Sequence, residues 1–144
     1  MIESFLDTSV LVAAFYSDHE HYALSSTLLL RCQKESACAA AHSLVEVYSV
    51  LTRMPGKNRA SSGEVLLFLK DLRERLAIVS LTEEEYVEAL QNASNMGIMG
   101  GGIYDALLAY CAMKVKAETI YTWNVKHFNR LGKDVASRVR TPPV

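Results

Sequence analysis

The side chains best placed to do chemistry in this sequence are three carboxylates in apolar surroundings: Asp7, Glu46 and Asp105. Asp105 is the most telling, because it is the only charged side chain from Ile103 to Met113. A helix that is apolar all round is a buried helix, and an ionised carboxylate there is costly unless it is paired, capped or bound to a metal. A position in the first turn makes the charge tolerable through the helix dipole, but does not explain why so apolar a segment carries it. Asp7 follows the apolar stretch Ile2 to Leu6 and precedes Thr8 and Ser9. An aspartate there also suits a helix N-cap, and the position alone does not choose between cap and site. Glu46 falls off the Leu44, Val47, Leu51 face of its segment, where a solvated glutamate is the ordinary reading. Its own flank, with Ser43, Val45, Ser49 and Val50, is not strongly charged. Thr122 and Asn124, in YTWNVKHF, are short polar groups directly after an apolar strand, and Asn124 equally suits a helix cap.

Brought together, these groups have one natural use. Two like charges about 4 Å apart repel by roughly 4 kcal/mol at an effective dielectric near 20, so clustered carboxylates take up protons or a cation. Ligands that are all oxygen favour Mg²⁺ or Mn²⁺ over zinc. Such an ion activates water and stabilises displacement at a phosphodiester. That is a route to RNA hydrolysis for a chain with no evident Ser-His-Asp or Cys-His set.

The elements that must position these residues alternate. Ile2 to Leu6 predicts a buried strand, Val10 to Phe15 a short helix, His19 to Lys34 a second helix and Cys38 to Ala40 a brief strand. Leu44, Val47, Tyr48 and Leu51 repeat with helical spacing within Ala41 to Arg53. Pro55-Gly56 marks a loop. Ser61 with Glu64, and Thr82 with Glu85, are capping boxes that open two further helices around a strand at Ala77 to Leu81. The glycine-rich stretch Gly97 to Gly102 breaks the chain before a helix from Ile103 to Lys116. A last strand covers Thr119 to Thr122, followed by a basic tail. Short apolar strands alternating with helices specify an α/β fold with a parallel sheet between helical layers. Its site lies beyond the carboxyl ends of the strands. With no repeat and no composition break, residues 1–144 read as one domain.

Composition narrows the class. The formal charge is -1, which excludes a general polycation. Positive charge is concentrated at the C-terminal end, where Lys126, Arg130, Lys133, Arg138 and Arg140 stand against Asp134. Cys32, Cys38 and Cys111 lack disulfide or zinc spacing. With no signal-peptide start and no apolar run near the roughly 20 residues of a membrane helix, the expectation is a cytoplasmic protein.

Four stretches in order, FLDTSVLVAAF at 5–15, HSLVEVYSVLTR at 42–53, GGGIYDALLAYCA at 100–112 and TIYTWNVKHF at 119–128, resemble the PIN-domain family, and within it the VapC-type toxins of toxin–antitoxin pairs. The resemblance spans nearly the whole chain. It implies a three-layer α/β/α sandwich with a mainly parallel sheet and a Mg²⁺- or Mn²⁺-dependent endoribonuclease site. Asp7, Glu46 and Asp105 match the family's acids as metal ligands, and Thr122 its polar residue at the end of the fourth strand, with Thr8 and Ser9 in support. Asn124 stands where many members carry an aspartate. Asparagine offers an oxygen without a charge, so one tightly held ion is expected. The resemblance also implies a homodimer, an RNA substrate and a cognate antitoxin whose basic side chain enters the acidic pocket.

Other residues point less sharply. Arg53, Lys57 and Arg59 form a basic loop, and Lys126 and His127 adjoin the expected site. All could contact RNA phosphates, which supply affinity without sequence reading. His19 and His21 are expected on the surface at a helix start and His42 in the first turn of its helix. Trp123 packs in the core or stacks on a base. Other metal-dependent phosphohydrolases fit worse: a haloacid-dehalogenase motif needs an acid where Ser9 stands, and a receiver domain needs a lysine where Thr122-Trp123 stands. The alternatives are a PIN-like module that binds RNA or protein without cutting, for which Asn124 is the only support, and an RNA-processing nuclease without an antitoxin.

Overall fold

The computed structural model describes residues 1–144. Five strands, β1 (Ser4–Leu6), β2 (Ala37–Ala40), β3 (Ala77–Val79), β4 (Thr119–Tyr121) and β5 (Val139–Arg140), form one sheet in the order β3-β2-β1-β4-β5. Every pairing is parallel. Alternation along the strands sends Phe5, Cys38, Ala40, Val79 and Ile120 to one face and Leu6, Ala37 and Ala39 to the other. Each face therefore needs a helical cover, as parallel sheets do.

The Leu6 face is covered by α1 (Thr8–Ala13), α2 (Tyr22–Arg31), α3 (Ala41–Thr52) and α4 (Ser62–Arg75), through Val10, Leu28, Val47 and Leu72. The Phe5 face is covered by α5 (Glu83–Asn95), α6 (Gly102–Lys114), α7 (Val125–Asn129) and α8 (Lys133–Ala136), through Ala93, Leu108, Phe128 and Val135. This is the expected α/β/α sandwich. The three cysteines are buried and free; burial pushes the Cys38 thiol up to about 12. No helix is long and apolar enough to cross a membrane.

Both expected capping boxes are present. Ser61 Oγ accepts from Glu64 N while Glu64 returns a carboxylate to Ser61 N, and Thr82 and Glu85 do the same. Ser61→Ala should therefore cost about 1 kcal/mol, read as a lower midpoint in urea unfolding with an unchanged slope.

The structure corrects several boundaries. The second helix begins at Tyr22, not His19, because turns at His19 and Tyr22 close the preceding loop. The first strand is confined to Ser4–Leu6 and the first helix starts at Thr8, directly after the Asp7 cap. The basic tail is structured: it forms α7 and α8 and then β5, which pairs through Ile120 with Val139 and Tyr121 with Arg140.

Candidate active site

Strand order reverses at β1: the chain runs outward through β2 and β3, then returns to place β4 on the other side of β1. The crevice at such a switch is the usual site of an open α/β sheet. Asp7 directly follows β1 and Thr122 directly follows β4, so both stand at this point.

Asp7 is buried and its Oδ2 is saturated. It accepts from Thr122 Oγ1 at 2.7 Å, from Ser9 Oγ at 2.8 Å and from Ser9 N at 3.4 Å. Each hydroxyl is in turn fixed by a backbone donor, Asn124 N to Thr122 Oγ1 at 2.9 Å and Trp123 N to Ser9 Oγ at 3.0 Å. With those lone pairs used, the hydroxyl protons turn toward the carboxylate. Oδ1 accepts none of these bonds and is not among the sealed, unpartnered atoms, so it is the oxygen that faces the cleft. Burial, aided by repulsion from Asp105, pushes the Asp7 carboxyl up to about 6 despite these donors. The cap reading of Asp7 is correct as well, through Ser9 N.

Asp7, Thr8, Ser9, Glu46, Asp105 and Asn124 line one cleft of about 450 Å³. Glu46 reaches it from α3: Thr8 Oγ1 donates to Glu46 Oε1 at 2.7 Å and lies 2.9 Å from Ser43 Oγ. The i, i+3 spacing of Ser43 and Glu46 puts both on the helix edge nearest Thr8. Asp105 reaches it from the first turn of α6. The chain enters that turn through Gly100, which has φ of +60°, and through Gly102, where a Cβ would stand 3.0 Å from Ile98 Cγ2. Burial raises the Asp105 carboxyl, countered by His127, whose Nδ1 lies 3.3 Å away, and by Arg130.

Asp7, Thr8, Ser9, Glu46, Asp105 and Asn124 bring carboxylate, hydroxyl and amide oxygens to the cleft, a hard set suited to Mg²⁺ or Mn²⁺, and His19 and His21 add imidazole nitrogens to the same cleft. A buried carboxylate raised by burial and by its acidic neighbour is a centre short of positive charge, so the residues fit a cation. The fit is one of chemistry: no three acid, imidazole or thiol side chains already converge tightly enough to share one ion.

The PIN-domain family profile matches residues 4–134. The chain belongs to the PIN-domain family. Ribonuclease VapC40 of Mycobacterium tuberculosis is 32% identical to it over 114 residues, spanning 79% of this chain and 81% of that protein. Among solved structures, this PIN domain matches the sarcin-ricin loop cleaving toxin VapC20 of Mycobacterium tuberculosis with a TM-score of 0.74 at 16% identity, over 98% of this chain and all of that one. It matches VapBC2 of Rickettsia felis, bound to a promoter DNA fragment, with a TM-score of 0.65 at 21% identity, over 98% of each chain.

The PIN fold brings together the acids that sequence singled out, but not every candidate. Asn124 lines the cleft and opens α7 without a side-chain capping bond. His127 touches Asp105, whereas Lys126 is exposed outside the cleft wall. Arg53 is also outside it, and Lys57 borders a different cavity beside Tyr16 and Arg59. His19 and His21, expected on the surface, are half-buried and line the cleft. Thr8 was legible only as support, and its partner Ser43 only as part of an uncharged flank. Nothing local announced that Thr8 would anchor Glu46 across 38 positions.

Proposed function

We propose that this PIN domain is a metal-dependent endoribonuclease and the toxin of a toxin–antitoxin pair. The convergence of Asp7, Glu46, Asp105 and Asn124 on one cleft at the carboxyl edge of the sheet carries the reading. A 32% identical relative named as a ribonuclease supports it. Asp7 Oδ1 and the Asp105 and Glu46 carboxylates would hold Mg²⁺ or Mn²⁺. Such an ion supplies a polarised phosphoryl oxygen and a water of lowered pKa. The residues do the rest. Ser9 and Thr122 lock Asp7 in one rotamer, and Thr8 holds Glu46 toward the cleft. Asn124 adds an oxygen without a charge, which favours one ion over two. His127 is placed to meet a substrate phosphate, with Lys126 nearby in sequence and Arg53 and Lys57 further out along the RNA. The acidic cleft would equally take an arginine or lysine from an antitoxin, and a homodimer in a cytoplasmic complex belongs to the same reading.

Purified protein incubated with total RNA should cleave in Mg²⁺ or Mn²⁺ and stop in EDTA. Folded, antitoxin-free protein that cuts nothing under either metal would overturn the proposal. Thr122→Val keeps the shape but removes one donor to Asp7 Oδ2 and strands Asn124 N. Cleavage should fall about 10- to 100-fold, as for other residues that orient metal ligands, with part of the loss recovered at higher Mg²⁺. The measurement is initial rate against metal concentration.

A further inference from the structure

The cleft has a wall that the proposed chemistry does not use. The rings of His21 and Trp123 stack face to face, with centroids 3.7 Å apart and planes within 6°. His19 adjoins them, its ring centroid 5.8 Å from that of His21 and tilted by 42°. All three line the cavity that also holds Asp7, Glu46 and Asp105. The ladder is fixed at several points. Trp123 Nε1 donates to Ser25 Oγ at 2.8 Å, Trp123 N donates to Ser9 Oγ at 3.0 Å, and His21 N donates to His19 Nδ1 at 3.0 Å. Ser9 is also a donor to Asp7, so Trp123 stands two hydrogen bonds from the buried carboxylate, with Ser9 Oγ between them.

Core packing accounts for the inner side of Trp123, which rests against the cluster containing Leu6 and Val10. It does not account for two imidazoles in succession on the cleft side. Glu20 Oε1 lies 3.5 Å from His21 Nε2 and is largely exposed, which makes the wall a poor seat for a phosphate. An uncharged, flat, hydrogen-bonding group suits it better. Bases of single-stranded RNA are recognised by stacking on aromatic rings and by hydrogen bonds to their edges. Imidazole offers a face, a donor and an acceptor.

We propose that the His19–His21–Trp123 ladder receives the nucleobase adjoining the scissile phosphate and sets the base preference at the cut. The proposal rests on the ribonuclease reading, which places the phosphate at the carboxylates. Trp123 is the only tryptophan of the chain, so its emission reports the ladder directly.

The probes are short fluorescein-labelled homopolymeric RNAs of A, C and U, titrated in Ca²⁺ while anisotropy and tryptophan emission are followed together. Emission should change in step with anisotropy, and affinity should differ among the bases. His21→Ala should weaken the preferred RNA about five- to tenfold, the effect of losing one stacking partner, and should redistribute cut sites on a mixed-sequence RNA in Mg²⁺. His21→Phe, which restores a ring, should recover affinity but not the original base preference. RNA that binds by anisotropy with no change in tryptophan emission would overturn the ladder and leave the ribonuclease reading standing. So would a His21→Ala variant with unchanged affinities and cut sites. No binding by any RNA, together with no cleavage in Mg²⁺, would overturn both.

Discussion

Asp7→Asn should abolish RNA cleavage and at the same time make the protein harder to unfold. The buried carboxyl is raised from 3.8 to about 6, with burial the largest cause. A group raised in the fold stabilises it below the unfolded value and loses that contribution as pH climbs through about 6. At neutral pH the metal-free protein therefore carries a charge the fold disfavours, worth about 3 kcal/mol. Asparagine keeps the acceptor that Ser9 and Thr122 hold and places an uncharged amide at the cleft. In EDTA at about pH 7.5 the variant should melt about 10 °C above the parent, and the gap should close by about pH 3, below the ordinary value of 3.8, where Asp7 is largely protonated in both folded and unfolded chains. Mg²⁺ should raise the parent's melting temperature and leave the variant's unmoved. Thermal melts across pH, with and without metal, decide this. A variant less stable than the parent in EDTA at neutral pH would refute the account of Asp7.

Asp105→Asn should remove cleavage as completely, about a thousandfold or more for a lost metal ligand of several kcal/mol, with little change in melting. Asp105 keeps 23% of its side chain exposed and has His127 and Arg130 beside it. Its charge is thus half-screened where that of Asp7 is enclosed. The two variants look alike in an activity assay and separate in a melt. Removing the Asp105 charge also relieves a group that raises Asp7, so the dependence of melting on pH should lie at slightly lower pH in this variant than in the parent. Full cleavage by a folded Asp105→Asn protein would refute its assignment to the metal.

The pattern of the site was legible where chemistry and local structure disagree. Asp105 stood out because nothing else around it is charged, and Asp7 because it ends an apolar strand. Glu46 was ambiguous, since the bond that turns it inward comes from Thr8 on another element. His19 and His21 were misplaced for the same reason: His21 stacks on Trp123 across about a hundred positions and His19 sits against His21, and no periodicity in a turn foretells either. The capping boxes were read correctly because each closes within four residues. β5 was missed because two residues after a short helix carry no alternation, and its pairing with β4 is all that defines it.

The order β3-β2-β1-β4-β5 has a consequence for synthesis. β1, β2 and β3 emerge from the ribosome in the sequence in which they pair, but the second neighbour of β1 arrives 115 positions after its first residue. Until Thr119–Tyr121 docks there, Asp7 lacks Thr122, Ser9 lacks the Trp123 amide, and the cleft has no far wall. A nascent chain therefore carries Asp7 and Glu46 without an assembled centre for much of its translation, and Asp105 joins them only shortly before β4 is made. The last central strand to be made is the one that arms it.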